Sequence, residues 1–220
     1  MGVIRIRTDN IILRKYFLPV LLILVLLFTT ASVLAAGEEP EGLWADRITS
    51  FFADNGVDLL IAEGNALLVY EDYHIKADYI EYDYPGESIE IKGNISLSVG
   101  DYFLRAKSLS GNLNEKSFVA RDEVYFQADD LKINSISLEM KNEGLFIFTG
   151  NVLLLYKEIQ VQADSLNYER EQDLLVLEGN INGQNGDLKL SGERMELDLN
   201  SEKIKLQGRA ELLFGDKGGE

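Results

Sequence analysis

Apolar and polar residues alternate with a period of two over much of this chain. Ile89, Ile91, Gly93, Ile95, Leu97 and Val99 are interleaved with Glu90, Lys92, Asn94, Ser96 and Ser98. Ile204, Leu206, Gly208, Ala210, Leu212 and Phe214 repeat the pattern against Lys205, Gln207, Arg209 and Glu211. Alternation of this kind predicts half-buried antiparallel strands. A glycine sits midway on the apolar face of each, where it marks a bend, a bulge or a close backbone approach. A second kind of strand changes parity midway. Tyr73, Ile75 and Ala77 give way to Ile80 and Tyr82; Ile159, Val161 and Ala163 give way to Leu166 and Tyr168; Leu188, Leu190 and Gly192 give way to Met195, Leu197 and Leu199. One extra residue flips every later side chain to the other face, so a bulge or corner is predicted just after Ala77-Asp78 and its equivalents. Gly100-Asp101, Gly186-Asp187, Lys141 to Gly144 and Asn200 to Lys203 supply turn chemistry at the joins. No convincing helix follows residue 55. Ala45 to Ala53 reads either as a partial first unit, with Ala45-Asp46 as its corner, or as a short helical lead-in.

These strands recur on a grid. Gly64-Asn65, Gly93-Asn94, Gly150-Asn151 and Gly179-Asn180 are spaced in units of 28–29 residues, and Gly208-Arg209 continues the series. The empty slot falls at Asp122-Glu123. Ala77-Asp78, Ala106-Lys107, Ser135-Ile136, Ala163-Asp164 and Gly192-Glu193 keep the same period. Two signals in register predict about five stacked copies of one unit, each made of two bent strands and two turns. The expected fold class is all-β: two facing sheets with apolar faces inward. The interior is either filled or splayed into an apolar trough, and the two ends of the stack expose strand edges. If each unit adds one strand level, the stack is ~24 Å long. The interior is expected to depart from its neighbours near Asp122-Glu123.

The first 36 residues have a different character. Arg5, Arg7, Arg14 and Lys15 precede an apolar run from Tyr16 to Phe28, and small residues follow to Ala35-Ala36. This describes a secretory signal peptide over residues 1–35, with an uncleaved membrane anchor as the alternative. Residues 36–43 are expected to form a linker, residues 44–214 a single folded domain, and residues 215–220 a frayed tail.

The chain is 46% hydrophobic, enough for a real core, and has a net charge of −16. Residues 1–35 hold four of the 21 basic and one of the 37 acidic residues, so the remainder has 17 and 36, a net −19. An acidic protein of this kind is a poor partner for nucleic acid. There is no cysteine, hence no disulfide or thiolate chemistry. The single histidine, His74, falls on the polar parity of its strand and reads as a solvated residue rather than a catalyst or ligand. No nucleotide loop and no Gly-x-Ser-x-Gly nucleophile motif is present. Asp46, Asp78 and Asp164 read as structural corners rather than a calcium or other metal site. Asn94-Ile95-Ser96 matches the glycosylation acceptor, a pattern common by chance. Tyr82, Tyr168, Phe146 and Phe148 read as core residues that would also line a trough. The expectation is a protein that is not an enzyme and needs no cofactor.

The motifs Glu63-Gly64-Asn65, Thr149-Gly150-Asn151-Val152, Glu178-Gly179-Asn180, Ala77-Asp78-Tyr79-Ile80-Glu81-Tyr82 and Ala163-Asp164-Ser165-Leu166-Asn167-Tyr168, behind an export signal, resemble the OstA-like family of periplasmic lipopolysaccharide-transport proteins. The resemblance runs from about Trp44 to Phe214. It implies an elongated, slightly twisted antiparallel β-jelly-roll with an open apolar groove for lipid acyl chains. It also implies a periplasmic setting, as a soluble bridge or an anchored component, and end-to-end pairing with partner jelly-rolls or with itself. On this reading the inward set Ile91, Ile95, Leu97, Leu104, Phe148, Val152, Leu154, Ile159, Val161, Leu177, Ile181, Leu190, Leu206 and Leu212 lines the groove. The alternative is a non-catalytic structural or protein-interaction repeat of the cell envelope with a filled core.

Overall fold

The computed structural model describes residues 41–214 except 54, 55, 71, 142 and 143. The expected signal or anchor segment, most of the linker and the tail lie outside the described residues. The rest is all β: β1 (Gly42–Trp44), β2 (Arg47–Ala53), β3 (Gly56–Tyr70), β4 (Tyr73–Asp83), β5 (Ser88–Val99), β6 (Tyr102–Asn112), β7 (Ser117–Ala128), β8 (Leu131–Lys141), β9 (Leu145–Tyr156), β10 (Ile159–Glu169), β11 (Leu174–Asn185), β12 (Leu188–Asp198), β13 (Lys203–Gln207) and β14 (Glu211–Phe214). A single 3₁₀ turn, Arg170–Gln172, is the helical element among the described residues. Ala45 to Ala53 forms the partial first unit, with Asp46 as its corner, and not a helical lead-in. The first strand begins at Gly42, inside the expected linker.

Every pairing is antiparallel, and β3 to β12 follow one another as a simple meander. β1 and β2 both pair with β3, and β13 and β14 both pair with β12. Each couple is one bent strand interrupted at its corner, so the stack holds twelve strand levels. The repeating unit therefore adds two levels rather than one. The stack is about 50 Å long at ~4.8 Å per level, twice the length expected from the sequence.

Both repeat landmarks are corners, and they face each other. Along β3 and β4 the register steps from Glu63↔Tyr79 to Ala66↔Ala77, so Gly64-Asn65 opposes the single residue Asp78. Two residues against one is a β-bulge. The two-residue insert leaves the parity of its strand unchanged, whereas the lone Asp flips its own. That is why one landmark sits within continuous alternation and the other at a slip. Each insert occupies the left-handed region: Gly93 and Asn94 have φ of 73° and 45°. Here glycine is required twice over. A Cβ on Gly93 would meet Asp78 Oδ2 at 2.3 Å, and the positive φ disfavours any L side chain.

The corners align into a spine that divides the sheet into two facing halves. The upper half holds segments such as Tyr73–Ala77, Ile95–Val99, Tyr102–Ala106 and Val152–Tyr156. The lower half holds Tyr79–Asp83, Ser88–Lys92, Leu145–Thr149 and Arg194–Asp198. The inward faces form one hydrophobic core running through the stack, from Leu43 to Leu197. The result is an antiparallel β-jelly-roll.

Candidate functional site

The spine is held by a repeated clamp. Asn65, Asn94 and Asn180 donate their side-chain amides to Asp46, Asp78 and Asp164 at 2.9, 2.9 and 2.8 Å. At the first and last corners the backbone adds its own bond, from Asp46 N–H to the Gly64 carbonyl and from Glu193 N–H to the Gly208 carbonyl. The Asp residues serve as corner acceptors, and the described residues hold no group of three or more His, Asp or Glu placed to bind a metal. Asn94, the glycosylation candidate, spends its amide in this clamp.

The empty slot of the repeat keeps the bulge with different residues. Asp122 and Glu123 take φ of 62° and 54° without any glycine, and Lys107 stands where Asp stands elsewhere, 3.3 Å from Glu123. The corner is a charge-exchanged version of its neighbours. The next corner sets the exposed side chain of Ile136 against Gly150. The middle of the spine thus lacks the Asp–Asn clamp.

The interior departs from its neighbours at the same levels, through its aromatics. Phe126 lies 5.3 Å from Phe146 and 5.4 Å from Phe148, ring centre to ring centre. Tyr102 is 5.7 Å from Phe126 and 5.8 Å from Phe146, which is in turn 5.8 Å from Tyr168. Tyr102 and Phe126 belong to the upper half, and Phe146, Phe148 and Tyr168 to the lower. The cluster joins the two halves near the edge opposite the spine, which we call the mouth. Burial pushes the Tyr168 hydroxyl up to about 12, with the Tyr102 and Asp173 charges adding to it and Arg170 opposing. Tyr102 is raised for the same first reason.

Over this aromatic layer lies a polar one. The rim of the upper half is made of two-residue turns: Gly100-Asp101, Asp129-Asp130, Lys157-Glu158 and Gly186-Asp187. The rim of the lower half has four-residue turns, among them 84–87, 113–116, 170–173 and 199–202. These longer turns carry side chains across the gap. Arg170 sits 4.6 Å over the Tyr102 ring, and Lys157 pairs with Glu202. A cleft of about 460 Å³ opens between the rims, lined by Asp101, Tyr102, Asp129, Asp130, Lys157, Tyr168, Arg170 and Asp173 among others.

Of the fourteen inward residues expected from the sequence, twelve are buried; Ile91, Phe148, Leu154, Val161 and Leu177 are completely so. They share one core with side chains of the opposite half, and the interior is filled rather than an empty trough. Leu206 is half-buried, and Leu212 is exposed on the uncovered last strand. Tyr102, Phe126 and Arg170 were not singled out by sequence reasoning. Phe126 shares the inward parity of Val124 and Ala128, but nothing in the alternation marks its contact with Phe146 and Phe148, two strands on. His74 lies on β4 opposite Val69 and Ser98, partly buried, and is not among the residues that line the cleft.

A comparison with curated proteins found no match. Among solved structures, the chain is similar to LptH of Pseudomonas aeruginosa, described as the LptA-homologous periplasmic component of the conserved lipopolysaccharide transport device. The match has 13% identity, 51% of this chain and 94% of that one covered, and a TM-score of 0.49. The family model described as LptA/(LptD N-terminal domain) LPS transport protein matches residues 74–203, more than half of the 220. That range runs from β4 into the start of β13 and contains two of the three clamped corners, the charge-exchanged corner and the aromatic mouth, and so the chain belongs to the family of LptA and LptD N-terminal-domain lipopolysaccharide transport proteins.

Proposed function

We propose that this protein is a periplasmic, non-enzymatic lipid carrier in lipopolysaccharide transport to the outer membrane. It holds acyl chains between its two half-sheets and pairs end to end with partner jelly-rolls through its strand edges. The observation that carries the reading, beside the family, is the continuous apolar interior bounded on one side by a spine and on the other by side chains alone. Each methylene moved from water into such an interior gains about 0.8 kcal/mol, or roughly 9 kcal/mol for a twelve-carbon chain. Part of that gain offsets the separation of core side chains that now touch across the halves.

The edges support the second half of the proposal. Among the described residues β1 and β2 pair only with β3, and β13 and β14 only with β12, so one side of each end strand has no partner there. Phe51 and Phe52 at one end and Leu212, Leu213 and Phe214 at the other are exposed. Apolar unpaired edges invite strand addition.

The groove is tested with an aliphatic diazirine residue at Val152 or Val161, both buried, and at the exposed Gln160. Val152 and Val161 are expected to capture lipopolysaccharide on illumination, and Gln160 is not. Equal capture at all three positions would remove the groove. The filled interior also favours a second reading, a cell-envelope interaction protein that never takes lipid inside. Native mass spectrometry after incubation with lipopolysaccharide separates the two, since only a carrier retains it.

A further inference from the structure

We propose that an acyl-chain amphiphile enters this protein sideways, through a portal between the upper rim of β6–β10 and the lower rim of β9–β13, and that Arg170, Lys157 and Glu202 latch that portal over an aromatic seal. The inference rests on the carrier function proposed above and adds where the cargo gets in.

Apart from the two ends of the stack, three ways into the core exist in principle. Entry through the spine would have to cross the covalent chain at every strand level. Entry between strands would break ladder bonds, because each strand from β3 to β12 is paired on both sides. The mouth has no such bonds. Backbone bonds between rim turns run along the lower rim, from Arg170 N–H to the Gly144 carbonyl at 2.9 Å and from Leu199 N–H to the Asp173 carbonyl at 2.8 Å. Among the described residues none of the backbone bonds crosses to the upper rim. The halves can therefore part there at the cost of side-chain contacts alone.

Those contacts are concentrated. The aromatic seal of Tyr102 and Phe126 against Phe146 and Phe148 spans the halves. Arg170 covers Tyr102 from outside, on a turn tied to both neighbouring turns, and Lys157 reaches across to Glu202. The charged contacts face water, where exchange for solvent is easy. The seal beneath them keeps water out until a chain displaces it. Of the spine corners on these strands, those at Lys107 and Ile136 lack the Asp–Asn clamp while Asp164 on β10 keeps it, so the hinge is least tied on the β6–β9 side of the portal. Aromatic faces and apolar side chains inside the portal fit a hydrocarbon chain rather than a polar ligand.

The native sequence has no cysteine, so a pair can be introduced without background. Lys157→Cys with Glu202→Cys, joined by a short bis-maleimide, bridges the rims. Lys189→Cys with Gln184→Cys, joined the same way, bridges two neighbouring strands of one half and serves as control. Uptake of a fluorescent twelve-carbon fatty acid and of lipopolysaccharide is followed for each. The rim bridge is expected to slow uptake at least tenfold and the control bridge to leave it unchanged. The unbridged variant Arg170→Ala is expected to speed uptake by about 2- to 5-fold through loss of one cation–π contact. Unchanged uptake with the rims bridged overturns the portal while leaving the carrier intact. Failure of the unbridged, unmutated protein to bind either probe overturns the carrier reading, and the portal with it.

Discussion

The spine and the mouth lie at opposite edges of the same jelly-roll and are built by different means. The spine is written into the backbone. Left-handed pairs such as Gly93-Asn94 and Gly179-Asn180 turn the chain at the same place on alternate strands, and Asp residues on the strands between accept their amides. The mouth is written into side chains. Its rims are ordinary turns, and what joins them is a ring cluster with a cation and an ion pair on top. One edge joins the halves through the covalent chain, whereas among the described residues the other joins them through side chains. On the proposed carrier reading, uptake of a flexible apolar cargo uses that asymmetry.

The comparison is sharpened most strongly by removing a ring at the centre of the seal. Phe126→Ala is expected to cost about 3–5 kcal/mol, because Phe126 is 1% exposed and touches three other rings. Chemical denaturation checks it. A loss below 1 kcal/mol would mean that the halves are not held together there.

The spine is next. Gly93→Ala places a Cβ 2.3 Å from Asp78 Oδ2 at a φ of +73° and is expected to cost about 1–3 kcal/mol. Repeating it in an Asp78→Ala background removes the oxygen contact but not the dihedral strain, so only part of the loss should return. Full recovery would show that the left-handed backbone contributes nothing.

Asn180→Ala probes the clamp alone and is expected to cost about 1 kcal/mol, since it removes one exposed hydrogen bond of 2.8 Å. Asn151→Ala, at the corner where Ile136 replaces the Asp, should cost less. Equal losses would contradict the view that the clamp strengthens some corners and not others.

The smallest effect is alkaline. Tyr168 is raised from 10.0 to about 12 by burial, so the folded state favours its neutral form. Its contribution to stability is full below about pH 10 and is lost as pH rises through about 12. Tyr168→Phe keeps the ring and removes the ionising group, and so should move alkaline unfolding, followed by circular dichroism, to higher pH. An unchanged transition would argue that the ring is wet.

The parts of this design legible in the sequence were those that repeat. Alternation gave the strands, the parity slip at Ala163-Asp164 gave the corner, and the period joined them into one stack. The facing of Asp78 and Asn94 was also within reach, because each landmark lies midway along a strand joined to the next by a short turn. What could not be read was the closure of the mouth. Tyr102 and Phe146 are in contact although 44 positions apart, through the curvature of a sheet that no local pattern encodes. Arg170 lies in a polar turn whose composition, Arg-Glu-Gln-Asp, signals only solvent exposure. Periodicity counts units while hydrogen bonds count strands, so the stack is twice as long as one level per unit predicts. The slot at Asp122-Glu123 looked empty because the eye follows glycine, yet Lys107 and Glu123 preserve its geometry with exchanged charges.

The central claim, a jelly-roll that hinges at its spine and opens at its mouth, is tested most directly by spin-label distances in one protein under two conditions. Labels at Asp130 and Asn200 report across the mouth, and labels at Lys76 and Lys92 report across the spine; all four sites are exposed. On saturation with lipopolysaccharide, the mouth distance is expected to lengthen by several ångströms, with the spine distance unchanged. A mouth distance that stays fixed while lipid is bound would contradict the claim.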